Sequence, residues 1–173
     1  MSKAIILSIR PKWVEKIANG EKTIEVRKTR PKLQTPFKCY IYCTMDHPYI
    51  SVSCAELDKL NYRTNTVGRC NGKVIGEFTC DRIFPINVFD NGSIQNWLFE
   101  HMERSCLTYE ELADYIGNGK TGYGWHISDL LIYDQPKGLD EFTRLRETKF
   151  GSEPVTIKRP PQSWCYVEAM KDG

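Results

Sequence analysis

A short segment near the N-terminus places two cations and a carboxylate within six residues: Lys22, Glu25 and Arg27. The segment alternates apolar and polar residues, which predicts a strand over residues 23–28 with Glu25 and Arg27 on one face. A lysine at a rim binds anions as a point charge, and a carboxylate accepts hydrogen bonds from an exocyclic amine such as cytosine N4. The pattern therefore predicts a ligand-binding wall. The alternative is an internal charge network of the same three residues that only fixes the turn.

Positive charge is concentrated in the same part of the chain. Residues 1–40 contain ten Lys or Arg and three Glu, whereas the whole chain carries a formal net charge of only +2. Such a distribution predicts one positive face for phosphates or another anion. Arg27, Lys28 and Arg30 would extend that face along a nucleic-acid backbone. The alternative is that these lysines and arginines are simply solvated.

The bulk composition is that of one globular domain spanning residues 1–173, because 173 residues suffice for a sizeable core. Residues 45–72 combine a weak helical pattern with polar turn residues, and we interpret them as an insertion between strands. The seven cysteines include no Cys-x-x-Cys pair and the histidines have no partners at metal-ligand spacing, so we predict neither a metal site nor a cofactor.

The expected cellular location follows from the thiols and from the apolar segments. An odd number of scattered cysteines is typical of a reducing compartment. No segment has the length of a transmembrane span, and the apolar start of the chain is too short for a signal peptide. These features predict a cytoplasmic protein that does not bind a membrane.

Hydrophobic periodicity predicts mostly strands. A helix is expected from Pro11 to a stop at Gly20, a second from residue 91 to 102, and a third that begins with a Thr108–Glu111 capping box. Residues 149–161 are interpreted as a loop. The predicted strands cover residues 4–9, 23–28, 37–43, 74–83, 123–133 and 163–169. This pattern favours an α+β fold, either a compact β-barrel or a strongly bent sheet with peripheral helices.

The segment Gly20-x-Lys22-x-x-Glu25-x-Arg27 resembles the G-x-K-x-x-E-x-R signature of ASCH domains, which belong to the PUA-like superfamily. Further segments resemble the family's bacterial and phage versions in the same order: residues 7–11, 74–78, 124–128 and 161–166. The resemblance implies a PUA-like small mixed β-barrel with peripheral helices, and a cleft between the barrel and the helices that carries the signature residues.

In this family the cleft is thought to take RNA or a nucleotide-like ligand. The resemblance therefore implies a module that binds RNA, single-stranded nucleic acid or a nucleoside, with a regulatory role as one option. Trp125 is a candidate for stacking on a base, and the last strand would close the cleft. The full set of candidate ligand-binding residues is Arg10, Lys22, Glu25, Arg27, Lys28, Arg30, Trp125, Gln162 and Ser163.

An enzymatic alternative comes from compact relatives that resemble amidohydrolases acting on acylated cytidine. Those enzymes use a lysine, a threonine nucleophile three residues later and a distant glutamate. Lys22 matches the lysine, Glu25 stands where the threonine is expected, and Glu103 is the candidate for the distant glutamate. In this hypothesis Lys22 and Glu25 would activate a water molecule. A third alternative is a protein-interaction domain in transcription, whose basic face meets an acidic partner.

Overall fold

The computed structural model describes residues 2–53, 69–95, 97 and 99–171. Residues 54–68, the central part of the predicted insertion, lie outside this range, so the domain assignment stays a prediction. The helices are α1 (Pro11–Ala18), α2 (Phe99–Ser105) and α3 (Tyr109–Ile116), and a 3-10 turn covers Leu139–Glu141. The strands are β1 (Lys3–Ile9), β2 (Ile24–Arg27), β3 (Phe37–Cys43), β4 (Lys73–Val88), β5 (Ile94–Gln95), β6 (Thr121–Lys137), β7 (Thr143–Thr148), β8 (Gly151–Thr156) and β9 (Trp164–Glu168).

The main sheet has the strand order β2-β6-β4-β3-β1-β9, with β5 added to β4. Among the strand pairs that the structure describes in this sheet, only β1–β3 is parallel. Within the described residues β2 and β9 have no backbone pairing with each other, so the sheet is open and the predicted closed barrel is wrong. β2 has four residues and reaches only β6. The mixed α+β class is confirmed, with strands predominating.

Both faces of the sheet are buried. The side chains of β1 point alternately to one face and to the other. Ile5, Leu7 and Ile9 join a core cluster with Val14 and Ile17 of α1. Ala4 and Ile6 pack into a second cluster on the opposite face. A third cluster lies under α3. These contacts fix α1 and α3 against the sheet, and the site described below lies between them.

The connection from α1 to β2 follows the sequence signals. Pro11 occupies the first turn, where its missing N–H costs no hydrogen bond. Gly20 adopts φ +85°, as predicted for a left-handed position after the helix. The Lys22 amide then donates to the Lys16 carbonyl over 2.9 Å. The turn therefore sets the starting point of the strand that carries Glu25 and Arg27.

Gly20→Ala should lower the free energy of unfolding by about 1 kcal/mol. A Cβ at this position would have no heavy atom within 4 Å, so the cost comes from the left-handed backbone alone. Urea denaturation measures the effect. Gly20→Asn is the matched control and should lose less, because asparagine tolerates this conformation better than alanine. Equal stability of the alanine variant and the wild type would contradict the prediction.

Two predicted elements differ from the structure. Residues 91–102 were expected to form one helix, but Ile94–Gln95 pairs with β4 and the helix begins at Phe99. The cause is local: the Asn91 side-chain oxygen accepts hydrogen bonds from the Ser93 amide (3.0 Å) and hydroxyl (2.7 Å). An Asx turn of this kind starts a hairpin rather than a helix.

The predicted loop over residues 149–161 is also wrong. Gly151–Thr156 forms β8, which pairs antiparallel with β7 as a separate two-stranded sheet. Pro154 is tolerated because each strand of a two-stranded ribbon is an edge strand. The proline and charges that favoured a loop are therefore features of an exposed hairpin.

None of the helices among the described residues is long and apolar enough to cross a membrane.

The six cysteines of the described residues are free thiols, and four of these are buried. Burial raises the pKa of the Cys43 and Cys80 thiols to about 12, so these two side chains behave as small apolar core residues.

Candidate functional site

A cleft of about 710 Å³ lies where β2, α1, α3 and the segment before β9 meet. This is the seam at which the open sheet would have closed into a barrel. The cleft brings together six of the residues predicted from the sequence, and they are Arg10, Lys22, Glu25, Arg27, Gln162 and Ser163.

The three signature side chains form a buried charge network on the cleft wall. Lys22 is 2% exposed, and Glu25 and Arg27 are each 6% exposed. The Lys22 ammonium donates to the Ser105 carbonyl over 2.5 Å and lies 3.6 Å from Glu25 Oε2. Arg27 Nη2 lies 3.0 Å from Glu25 Oε1. The internal network considered from the sequence therefore exists, and it also lines the cleft.

Lys22 has an unusual electrostatic environment. Burial lowers the pKa of its ammonium group, and the negative charge of Glu25 counteracts part of that effect. The Trp13 ring also contacts this cation, with its centroid 5.0 Å from Nζ. Glu25, Ser105 and Trp13 thus compensate for the water that the ammonium group has lost.

Arg27 connects the two edges of the open sheet. Its Nη1 donates to the Ser163 carbonyl (3.2 Å) and hydroxyl (3.3 Å), and its Nη2 donates to the Ser8 carbonyl (2.9 Å). Ser8 lies in β1 and Ser163 directly precedes β9. Both Nη groups are therefore engaged within the protein, and the side chain closes by hydrogen bonds the seam that backbone pairing leaves open.

Two polar atoms of the network are buried and lack a hydrogen-bond partner among the described residues: Glu25 Oε2 and Arg27 Nε. Buried polar atoms are nearly always hydrogen-bonded, because an unmade bond costs free energy. Glu25 Oε2 has the Lys22 ammonium at 3.6 Å, which is too long for a hydrogen bond. An N–H donor that reached this oxygen would satisfy it.

The helix α3 forms a second wall. The predicted capping box is confirmed: the Glu111 amide donates to the Thr108 hydroxyl, and the Thr108 amide donates to the Glu111 carboxylate. Packing of the helix's apolar face leaves Glu111, Asp114 and Tyr115 on the cleft side. Burial raises the pKa of the Tyr115 hydroxyl, with Arg27 opposing the shift and Glu25 adding to it.

A third wall comes from the chain after β3, which sequence reasoning missed. Thr44 and Asp46 line the cleft, and the Thr44 hydroxyl donates to the Asp46 carboxylate over 2.9 Å. The buried Asn71 amide holds this segment by donating to the carbonyls of Thr44, Asp46 and Pro48 at 2.9–3.2 Å. Part of the predicted insertion is therefore a wall of the site.

Four predicted residues do not join the cleft. Trp125 is 0% exposed and packs edge-on against Phe37 in the core, so its ring is not available to a base. Glu103 is exposed on α2, and Lys28 and Arg30 are exposed after β2. None of these three lines the cleft. Tyr115 and Trp13, which were not predicted as site residues, are the exposed and half-buried aromatic side chains on the cleft wall.

The charges that line the cleft are mixed. The cations are Arg10, Lys22 and Arg27. The carboxylates are Glu25, Asp46, Glu111 and Asp114. The cleft is therefore not the uniformly positive face that the N-terminal sequence suggested. The described residues contain no group of three His, Cys, Asp or Glu placed to hold a metal ion.

Comparison with known proteins confirms the resemblance drawn from the signature. The family model of the ASCH domain matches residues 7–78, a range that contains Lys22, Glu25 and Arg27. No curated protein matches the sequence significantly.

Among solved structures, the crystal structure of ASCH from Zymomonas mobilis is 18% identical and has a TM-score of 0.53, over 95% of this chain and 87% of that one. A variant of the same protein is 19% identical with a TM-score of 0.53, over 96% and 91% of the two chains. At this level of identity the likeness concerns the fold, which is that of an ASCH protein.

Proposed function

From the ASCH domain match over residues 7–78, we propose that this protein is an RNA- or nucleotide-binding module whose cleft holds a nucleobase beside Lys22, Glu25 and Arg27. A pocket for a small ligand usually measures roughly 300–1,000 Å³, and the cleft of about 710 Å³ falls within that range. The base is the part of the ligand that the cleft suits best, for reasons of hydrogen bonding and of charge.

The observation that carries the proposal is the buried Glu25 Oε2 on the cleft wall, which forms an ion pair with Lys22 at 3.6 Å but accepts no hydrogen bond from the described residues. A carboxylate oxygen only accepts hydrogen bonds, so its complement must be a donor. The exocyclic amine of cytosine is such a donor, and carboxylates read it at N4. In this proposal the nearby Lys22 ammonium pairs with a carbonyl oxygen of the same base.

The mixed charge of the cleft supports a base rather than a phosphate in its interior. Three cations face four carboxylates there, and a phosphate beside Glu25 would meet a like charge. Arg10 is exposed at the rim, and Lys28 lies just outside it with Nζ 5.1 Å from the Tyr115 ring centroid. These two cations are suited to backbone phosphates, and the Tyr115 ring is suited to stacking.

Cytidine should bind more tightly than uridine, and Glu25→Gln should remove most of that preference. A carboxylate that reads an amine contributes a discrimination of roughly ten- to hundredfold, whereas a glutamine amide can either donate or accept. Isothermal titration calorimetry with the wild type and with Glu25→Gln measures the affinity of each protein for cytidine and for uridine. Glu21→Gln is the matched control, because Glu21 is an exposed glutamate on the same turn, paired with Lys16.

Tyr115→Ala provides a second variant, because Tyr115 is exposed and its loss should leave the fold intact. The substitution should lower the affinity for cytidine and for uridine equally, because a stacking contact is lost. Equal binding of cytidine and uridine by the wild type, or wild-type preference in Glu25→Gln, would refute the reading of a base amine by Glu25.

A second candidate function is hydrolysis of an acylated cytidine. It is favoured by the combination of a lysine whose pKa is lowered by burial with an adjacent carboxylate oxygen that accepts no hydrogen bond from the described residues. Glu25 would take a proton from water as the water oxygen bonds to the acyl carbon, and Lys22 would stabilise the resulting oxyanion. The C–N4 bond would then break, with the proton passing to N4, to give a carboxylic acid and cytidine.

The same proteins separate the two candidates when they are incubated with N4-acetylcytidine. We expect binding without hydrolysis, because Glu25 occupies the position of the expected threonine nucleophile and a carboxylate cannot supply hydroxyl chemistry. Turnover by the wild type that disappears in both Lys22→Ala and Glu25→Gln, with binding retained, would instead identify the enzyme.

A further inference from the structure

The hairpin formed by β7 and β8 stands apart from the main sheet. Its base is anchored firmly: Phe142 is buried against Tyr40 with ring centroids 4.8 Å apart, and the Ile157 amide donates to the Phe142 carbonyl over 2.9 Å. Both Phe142 and Ile157 belong to the core cluster on that face. The hairpin is therefore a fixed projection of the domain.

The turn of the hairpin is also well defined. The Thr148 hydroxyl donates to the Gly151 carbonyl (2.7 Å) and accepts from the Phe150 amide (3.2 Å). Gly151 supplies the φ of +111° that the turn requires. Along the strands, the Ser152 hydroxyl donates to Glu147 over 2.6 Å. Such a network defines the backbone of the turn.

The tip presents a large aromatic side chain to solvent. Phe150 is 97% exposed, and Lys149 precedes it in the turn. A scattered exposed apolar residue is ordinary on a protein surface, but here the side chain lies at the tip of a hydrogen-bonded hairpin turn. An exposed aromatic ring offers its face for stacking on a planar group.

The hairpin and the residues directly after it are basic. The hairpin itself, residues 143–156, contains three Lys or Arg and two Glu, a net charge of +1, and Lys158 and Arg159 after β8 raise the net charge of residues 143–159 to +3. Arg146 forms an ion pair with Glu153 across the two strands. The remaining cations are Arg144, Lys149, Lys158 and Arg159. Charge complementarity therefore selects a polyanionic partner.

We propose that the β7–β8 hairpin is a second nucleic-acid contact, which binds single-stranded RNA outside the cleft by stacking Phe150 on a base and placing Lys149 near the backbone. An aromatic platform beside cations is the combination that proteins use for unpaired strands, because every base has a stacking face and every linkage carries a charge. The inference rests on the proposed function in taking RNA as the ligand, but it concerns residues that the cleft does not use.

The test compares the double variant Phe150→Ala/Lys149→Gln with the wild type, using fluorescence anisotropy on a labelled single-stranded RNA of about 12 nucleotides. Loss of one stacked base and one phosphate contact should weaken binding by roughly tenfold and reduce the slope of log affinity against log salt by about 1. Phe99→Ala is the matched control, since Phe99 is 63% exposed on α2. It should bind RNA as the wild type does.

Titration with cytidine separates this proposal from the first. The hairpin variant should bind cytidine normally, because its substitutions lie outside the cleft. RNA affinity equal to that of the wild type would overturn the proposal, whether or not cytidine binds. A dimer seen by sedimentation of the wild type and lost in the variant would overturn it as well, and would assign the hairpin to a second copy of the chain. If the wild type bound RNA through Phe150 but had no affinity for cytidine, the proposed RNA contact of the hairpin would be supported. The proposed nucleobase site in the cleft would be refuted.

Discussion

Arg27→Met should lower the free energy of unfolding by about 3–5 kcal/mol, the usual cost of removing one partner from a buried ion pair. The substitution leaves the Glu25 carboxylate buried with only Lys22 to neutralise it. It also removes the hydrogen bonds to Ser8 and Ser163. Since these bonds connect the two edges of the sheet, we expect the seam beside the cleft to open first. Urea denaturation followed by circular dichroism measures the loss.

Lys28→Met is the matched control, because Lys28 is the next residue and is exposed. Its effect should stay within about 0.5 kcal/mol, as for most surface substitutions. Adding Glu25→Gln to Arg27→Met should restore part of the stability, because the buried carboxylate is then neutral. A loss below about 1 kcal/mol in Arg27→Met, or no recovery in the double variant, would show that the seam does not depend on this pair.

The role of Arg27 shows where sequence reasoning reached its limit. Alternation along β2 correctly placed Glu25 and Arg27 together, and the charge network with Lys22, which the sequence left as the alternative to a ligand-binding wall, is present. The acceptors of the guanidinium hydrogen bonds could not be predicted from the sequence, because Ser163 lies 136 residues away from Arg27. Arg27 was accordingly expected to extend a positive surface toward a nucleic-acid backbone. The structure instead uses it to join strands whose backbones do not pair.

Local signals predicted local structure well. Pro11 and Gly20 bound the first helix, and the Thr108–Glu111 capping box begins the third. The same reasoning failed where one residue type serves two purposes. Asn91 was taken for a helix start but forms a hairpin turn, and Pro154 was taken for a loop residue but lies in an exposed ribbon. Composition cannot separate these outcomes, because strand pairing with distant residues decides between them.

Trp125 illustrates a different limit. An aromatic residue near a predicted ligand wall is equally consistent with stacking on a base and with core packing, because both use the same apolar surface. Burial decides between the two roles, and burial depends on the whole sheet. The structure gives the exposed position to Tyr115 on α3, which no motif distinguished from other tyrosines in the sequence.

The third wall of the cleft depends on Asn71, and Asn71→Asp should be among the most damaging substitutions in the protein. The buried amide donates to the carbonyls of Thr44, Asp46 and Pro48, and its oxygen accepts from the Ile50 amide over 2.9 Å. A carboxylate of the same shape keeps only the last of these bonds. It would also direct negative charge at three carbonyl oxygens.

A buried group that loses its hydrogen-bond partners costs about 1–3 kcal/mol, and more when it is charged. Because the side chain at position 71 is buried, we expect Asn71→Asp to lose about 3 kcal/mol or more of stability. The segment that carries Thr44 and Asp46 should then move away from the cleft. Hydrogen exchange at the Ile50 amide provides a local measurement, and faster exchange should accompany the global loss. Asn118→Asp is the matched control, because the Asn118 amide makes an exposed hydrogen bond to the Asp90 carbonyl. If Asn71→Asp and Asn118→Asp lost the same stability, the wall would owe its position to contacts other than this amide.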